Sequence, residues 1–291
     1  MNAVSSKYVG LLYAAPAILF ILAFLVYPIG DLIYTSLTSR SLLGGGEFIG
    51  FRNYVRAWND PQFWTSLRFT LKYTLYITPV LMGLGFLLAL LTAENTRLKQ
   101  VTRGVIFLPV VIGIAVSSLL WFWLFDQQVG LFNKILVDVG ILDRPITWFT
   151  DPDRALWAVI FSITWKVVGF GMILFVASIQ SIDREIIEAS LIDGASYWQR
   201  VRKIVLPLSY RTILLATLIS VIGSLLAADQ FIIMTGGNPR GQTFSSVFWL
   251  YQNSFVFFKL GYGSALSVIL MLIIFGFAAT QILLTRRRAE G

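Results

Sequence analysis

The sequence has no cysteine and no histidine in 291 residues, and only 13% of its residues are charged. Lack of cysteine rules out a disulfide scaffold. Lack of histidine removes imidazole catalysis and the usual His/Cys metal sites. Soluble domains carry about 25% charged and roughly 45–50% apolar residues, whereas 57% here are hydrophobic. So little polar surface cannot cover such a core in water, so much of the apolar surface must face lipid. Intrinsic disorder is excluded for the same reason. No Gly-x-x-x-x-Gly-Lys-Ser/Thr stretch occurs, so the chain lacks the usual nucleotide-phosphate cradle, and Gly44-Gly45-Gly46 is a flexible turn. Low-complexity tracts and repeats of 20–50 residues are also missing. The excess of basic residues, 23 Lys and Arg against 15 Asp and Glu, fits loops held in the cytoplasm better than nucleic-acid binding.

What is present is a series of long apolar runs. A bilayer core about 30 Å thick needs roughly 20 apolar residues in a helix, and six stretches qualify. They run from about Val9 to Ile29, Tyr73 to Thr92, Gly104 to Phe125, Ala155 to Ser178, Thr212 to Met234 and Tyr262 to Thr285. The first contains Pro16 and Pro28 but no charge. It exceeds a signal-peptide core of about 7–15 residues and lacks an Ala-x-Ala-like site, so it is expected to be a retained helix. Arg286-Arg287-Arg288 stop the last. Segments 1–9, 93–103, 179–211 and 286–291 carry Lys or Arg at roughly one residue in five, against about one in ten in 38–65, 126–154 and 236–261. The first set is therefore assigned to the cytoplasm, with both termini. The outward segments are aromatic-rich, with Trp58, Trp64 and Trp148 suited to the membrane–water interface. One all-α membrane domain over 1–291 is expected, its core at about 69–285.

The longest cytoplasmic segment, 181–207, predicts two short helices. Asp183 is placed to cap the first, with Glu185 in its first turn. Gly194 suits its end, Ser196 and Gln199 form a capping box for the second, and Pro207 terminates it. Ile187 with Leu191, and Trp198 with Val201 and Val205, make apolar stripes at helical spacing. Such stripes lie on the bilayer, pack on the chain's own helix ends, or dock a partner.

The spacing Glu188-Ala189-Ser190, three residues, Gly194, nine residues, Ile204-Val205-Leu206-Pro207 resembles the EAA loop of ABC importer permeases. Ser190 replaces the second alanine, and Ile182-Asp183 stands where related sequences often have Ile-Pro. Three outward segments carry the likeness further. Phe48-Ile49-Gly50-Phe51-Arg52-Asn53-Tyr54, Thr235-Gly236-Gly237-Asn238-Pro239 and Tyr262-Gly263-Ser264-Ala265 resemble carbohydrate-type permeases, the subclass that includes those for maltose, glycerol phosphate and multiple sugars.

That resemblance implies a six-helix ABC importer permease fold and a chain without catalysis of its own. It also implies a second homologous permease, giving a heterodimer, two ATP-binding cassette subunits that bind ATP and Mg, and an extracytoplasmic solute-binding protein. Segment 181–207 would be the coupling helix seated in the ATPase, with Glu188 as a charged contact, Gly194 as the bend, and Trp198 with Val201 as the apolar anchor. Ala189, Asp193, Leu206 and Pro207 complete that surface.

Ionisable residues inside a membrane default to functional hypotheses. Lys166 beside Trp165, and Asp229-Gln230 near the end of the fifth run, stand out. One reading is a sugar site, with Asp229, Gln230 and Lys166 pairing hydroxyls and Trp165 stacking on a ring. The other is a Lys166–Asp229 ion pair between helices, or contacts to the partner permease. Gly83, Gly85, Gly169 and Gly171 are expected to permit close helix contact rather than bind ligand. Tyr251 and Asn253 are outward-loop residues, either solvated or meeting the binding protein. A secondary transporter using Lys166 and Asp229 as a relay would need paired inverted repeats and broken helices, and the sequence displays neither. A membrane scaffold whose EAA-like loop merely binds a soluble partner would leave the intramembrane charges unexplained.

Overall fold

Backbone groups in lipid must be satisfied within the chain, which leaves an apolar chain of this kind helices. The computed structural model describes residues 3–289, and helices dominate it. Residues 1–2 and 290–291, the tips of the two basic termini, lie outside the described residues, as do the side chains of Arg286–Arg288. The chain forms two compact units, one of residues 1–61 with 250–273, the other of 62–249 with 274–291.

In the first unit, α1 (Ala3–Ile21) passes through a π turn into α2 (Tyr27–Ser36). Pro28 follows the π turn inside one continuous helix, since Val26 and Tyr27 keep helical backbone angles. The loop after α2 is ordered by a bridge between Thr38 and Phe48 and leads to α3 (Arg52–Trp58).

The second unit holds most of α4 (Pro61–Thr92), then α5 (Arg97–Val111), α6 (Ile114–Leu124), α7 (Leu131–Asp138) and α8 (Pro152–Gln180). Next come α9 (Arg184–Ile192), α10 (Tyr197–Arg200), α11 (Leu206–Leu208), α12 (Tyr210–Leu225), α13 (Asp229–Met234) and α14 (Ser246–Tyr251). The last helix, α15 (Leu260–Ala289), belongs to both units by sequence. Among the described residues, four helices are long and apolar enough to cross a membrane, and six crossings result if each of two bent pairs is one span.

One bent pair is α5 with α6, and the other is Tyr197–Leu208 with Tyr210–Leu225, bent by 69° at Ser209. The expected third and fifth spans are both corrected. The third is not one rod over 104–125. It breaks between α5 and α6 with a bend of 95°, where Ile112 (ψ 134°) and Gly113 (ψ 142°) are extended. The fifth does not run unbroken over 212–234. α12 has 16 residues, about 24 Å at 1.5 Å each, and the chain breaks at Leu226–Ala228 before α13 resumes. Broken helices are thus present, contrary to the expectation from the sequence. The second span also begins earlier, at Pro61 rather than Tyr73.

α6 packs against α13, so the two resumed half-helices support one another, and α5 packs along α8. Phe69 and Tyr73 of α4 meet Phe231 of α13 edge-on with centroids 5.1 Å apart. Gly169 permits the α5–α8 contact, because a Cβ there would sit 2.5 Å from the Ile106 carbonyl oxygen. Gly85 likewise faces the backbone of Gly171 at 3.4 Å, whereas Gly83 has nothing within 4 Å and is not a contact glycine.

Candidate functional site

Two regions carry the residues singled out from sequence. The first is the segment between α8 and α12. α9 ends in a Schellman arrangement, where the Ala195 N–H donates to the Ser190 carbonyl and the Gly194 N–H to that of Leu191, both at 3.0 Å. Gly194 adopts φ +75°, which only glycine accepts without strain. The expected capping box is formed: the Gln199 N–H donates to Ser196 Oγ at 3.4 Å and the Ser196 N–H to Gln199 Oε1 at 2.7 Å. Asp183 occupies the N-cap position of α9, but its carboxylate makes no capping bond.

Exposure divides this segment into two sides. Glu188, Ala189, Asp193, Gly194, Trp198, Leu206 and Pro207 are all exposed. Val201 is not: at 6% exposure it is buried with Val205, in the π turn Val201–Val205 that fastens the segment to its own chain. The expected Trp198–Val201 anchor is therefore split: Val201 is buried against its own chain, while Trp198 stands out at 67% exposure. Ile192, 87% exposed, joins Leu191, Tyr197 and Trp198 on the outer side. Periodicity missed it, since it follows neither stripe, although an apolar residue just before a helix-ending glycine was a usable signal. Ser190 is buried and its hydroxyl donates back to the Ile187 carbonyl at 2.6 Å, so the third position of the EAA triplet takes only a small side chain.

The second region holds the intramembrane polar residues, which the structure does not bring together. Gln230 is 3% exposed and lines a cavity of about 250 Å³ with Tyr73, Ser220, Ser224, Ile163, Val167 and Phe170. Its side chain meets the Tyr73 hydroxyl, but Oε1 has no hydrogen-bond partner. Leaving a buried acceptor unmade costs about 1–3 kcal/mol. The cavity's serines are linked to α4, Ser224 Oγ donating to Thr74 Oγ1 at 2.9 Å and Ser220 Oγ to Thr78 Oγ1 at 3.3 Å.

Trp165 instead lines a more open aromatic hollow with Phe125, Phe132, Trp157 and Phe161, and packs edge-on against Trp121 at 5.4 Å. Asp229 opens α13 and is exposed. Lys166 is buried and donates to the Val110 carbonyl at 3.3 Å, lining neither cavity. Val110 is in the last turn of α5, where carbonyls lack helical partners and a cation is favoured. The Lys166–Asp229 ion pair is thus corrected: Lys166 meets the Val110 carbonyl instead, and the ion pairs seen lie elsewhere, between Lys72 and Asp153, Lys99 and Glu94, and Arg154 and Asp151. Asn253 is 2% exposed, hence not a solvated loop residue, while Tyr251 is 41% exposed.

The family described as binding-protein-dependent transport system inner membrane component matches residues 82–289. A probable ABC transporter permease of Pyrococcus horikoshii is 34% identical over 263 residues, covering 90% of each chain. The lactose transport system permease of Rhizobium radiobacter is 34% identical over 284 residues, 96% of this chain and 94% of that one. A sulfoquinovosyl glycerol transport permease of Agrobacterium fabrum is 34% identical, covering 91% and 86%. Among solved structures, a chain of a bacterial ABC transporter involved in import of the acidic polysaccharide alginate superposes with a TM-score of 0.83 at 23% identity, over 97% of this chain and 96% of that chain. That likeness is one of fold.

Proposed function

Because this chain belongs to the binding-protein-dependent transport system inner membrane component family, we propose that it is a permease subunit of an ATP-driven sugar importer. It moves a sugar or sugar derivative inward across the cytoplasmic membrane of a prokaryote, with both termini in the cytoplasm. The lactose and sulfoquinovosyl glycerol permeases among its relatives support a carbohydrate cargo. The whole chain, 1–291, acts as one transmembrane domain with its core at 69–285. It pairs with a second, homologous permease, receives cargo from an extracytoplasmic solute-binding protein, and rests on two ATPase subunits that bind ATP and Mg.

The observation that carries this reading is the exposed side of segment 181–207. Leu191, Ile192 and Trp198 project around a glycine turn that is locked by a Schellman arrangement on one side and a capping box on the other. A rigid, apolar, charge-rimmed projection fits a groove in a partner, with Trp198 as the aromatic anchor and Glu188 as a rim charge. Closure of the ATPase pair then moves the spans as rigid bodies through it. Cargo passes the cavity at Gln230, whose unpartnered Oε1 accepts a hydrogen bond from a sugar hydroxyl. Lys166 and Trp165 are dropped from the cargo contacts because they line other surfaces.

The test is ATP-driven uptake in proteoliposomes containing the assembled complex. Gly194→Asp and Glu188→Lys are expected to abolish uptake while the chain still inserts. Normal uptake by either variant, or uptake driven by an ion gradient without a nucleotide-binding subunit, refutes the reading.

A further inference from the structure

Transport as described leaves α3 without a task. One arc of this helix is buried, with Asn53 6% and Ala57 0% exposed. Asn53 Nδ2 donates to the carbonyls of Ser36 and Thr38 at 2.9 and 2.8 Å, and the Tyr54 and Ser36 hydroxyls share a bond of 2.6 Å. These bonds fasten α3 to the end of the first membrane helix. Its opposite arc carries Phe51, Val55 and Trp58, exposed by 73, 61 and 72%, with Phe48 at 66% just before it. At i, i+4 and i+7 these residues span only about 60° of the helix. Arg52, Arg56 and Asn59 are exposed along the flank. The Arg56 guanidinium is held 4.3 Å over the Tyr262 ring, and the Tyr262 hydroxyl donates to Asp60 at 2.6 Å.

The depth of that arc follows from the helix it is tied to. Between Lys7 and Asp31 the 23 residues 8–30 carry no charge; they span about 35 Å, enough for a hydrocarbon core of about 30 Å. None of the most apolar window of Tyr13–Ser36 is buried, so that surface is left for lipid. Ser36 is five residues past Asp31, about 7 Å further along the axis, within a headgroup layer that adds about 5–7 Å to each side.

We propose that α3 is an interfacial anchor that lies on the bilayer where the first membrane helix ends. Phe51, Val55, Trp58 and Phe48 enter the boundary between acyl chains and headgroups, and Arg52 and Arg56 lie at the phosphates. Lipid, rather than a second permease or a binding protein, is the occupant because the arc continues the lipid-facing surface of the helix to which it is bonded. The mix of aromatic and arginine side chains is also that of membrane interfaces.

The absence of native cysteine makes the test direct. Val55→Cys, Phe51→Cys and Asn59→Cys are each labelled with a nitroxide in the assembled complex, its other subunits stripped of cysteine, in lipid nanodiscs. Accessibility to oxygen and to a water-soluble nickel chelate is then measured. Labels at 55 and 51 are expected to collide with oxygen several-fold more than with nickel, and the order to reverse at 59. Nickel access at 55 equal to that at 59 puts the arc in water, and protection from both reagents puts it beneath another protein. Either result overturns the proposal.

Discussion

The turn at Gly194 and the break at Ile112–Gly113 are both places where a helix stops and restarts, yet different forces stop it. At Gly194 the stop is local. The Schellman bonds, the left-handed glycine and the Ser196–Gln199 box all lie within ten residues, so the turn would persist if its surroundings were removed. At Ile112–Gly113 no side chain caps the restart at α6. The bend is held from outside, by Lys166 at the carbonyl end of α5, by Gly169 against Ile106, and by α13 against α6. The coupling role proposed for 181–207 requires an element that keeps its shape while the rest moves. The breaks within the spans are instead tied to neighbouring helices.

Swapping side chains onto the two glycines exposes that difference most strongly. Gly169→Leu would push a Cβ to within 2.5 Å of the Ile106 carbonyl and 2.9 Å of the Phe107 Cα, and backbone cannot step aside. Overpacking of this kind costs about 3 kcal/mol, so folded monodisperse protein should fall steeply in size-exclusion chromatography. Gly194→Ala meets nothing within 4 Å and bears only the left-handed backbone cost of about 1 kcal/mol, so it should purify normally. Equal yields from the two variants would erase the contrast.

Next in size is Lys166→Met. It removes the donor from α8 to the Val110 carbonyl, and a lost charged hydrogen bond costs about 2 kcal/mol. The melting temperature in detergent should drop. Asp229→Asn should change it little, and the double variant should equal the sum of the two singles. A coupling above about 0.5 kcal/mol would restore the ion pair that the geometry denies.

The same contrast explains what could be read from residues alone. The helices of the 181–207 segment, its glycine stop and its capping box were legible because each depends on neighbours in sequence. The four long spans were legible because hydropathy needs no partner. The breaks were not, since residues 104–125 form an apolar run in which Pro109 and Gly113 are the only hints and packing decides which of them bends the chain. The polar site was half legible. That Lys166, Asp229 and Gln230 are unusual follows from chemistry, but which of them share a cavity depends on helix rotation, and only Gln230 reaches it.

Within the segment, Trp198 and Val201 separate attachment from docking. Val201→Ala removes two buried methyl groups, worth about 2 kcal/mol, and should lower thermal stability in detergent. Trp198→Ala should leave stability unchanged and weaken retention of the ATPase subunits on an affinity column. If the two variants exchange phenotypes, the split between a buried and an exposed side is wrong.

The smallest effect belongs to the capping box. Ser196→Ala leaves the Gln199 N–H without its acceptor, an N-cap loss of about 1 kcal/mol in a helix of only four residues before the π turn. That is too little to unfold a membrane protein, but it is large against the stability of one short helix. Amide hydrogen exchange at residues 197–200 should therefore quicken about fivefold, the factor that 1 kcal/mol represents, while exchange in α12 stays as before. Global quickening would show that the turn leans on the spans after all, as the break at Gly113 does. Unchanged exchange would show that Val201 and Val205, rather than the cap, hold the second short helix in place.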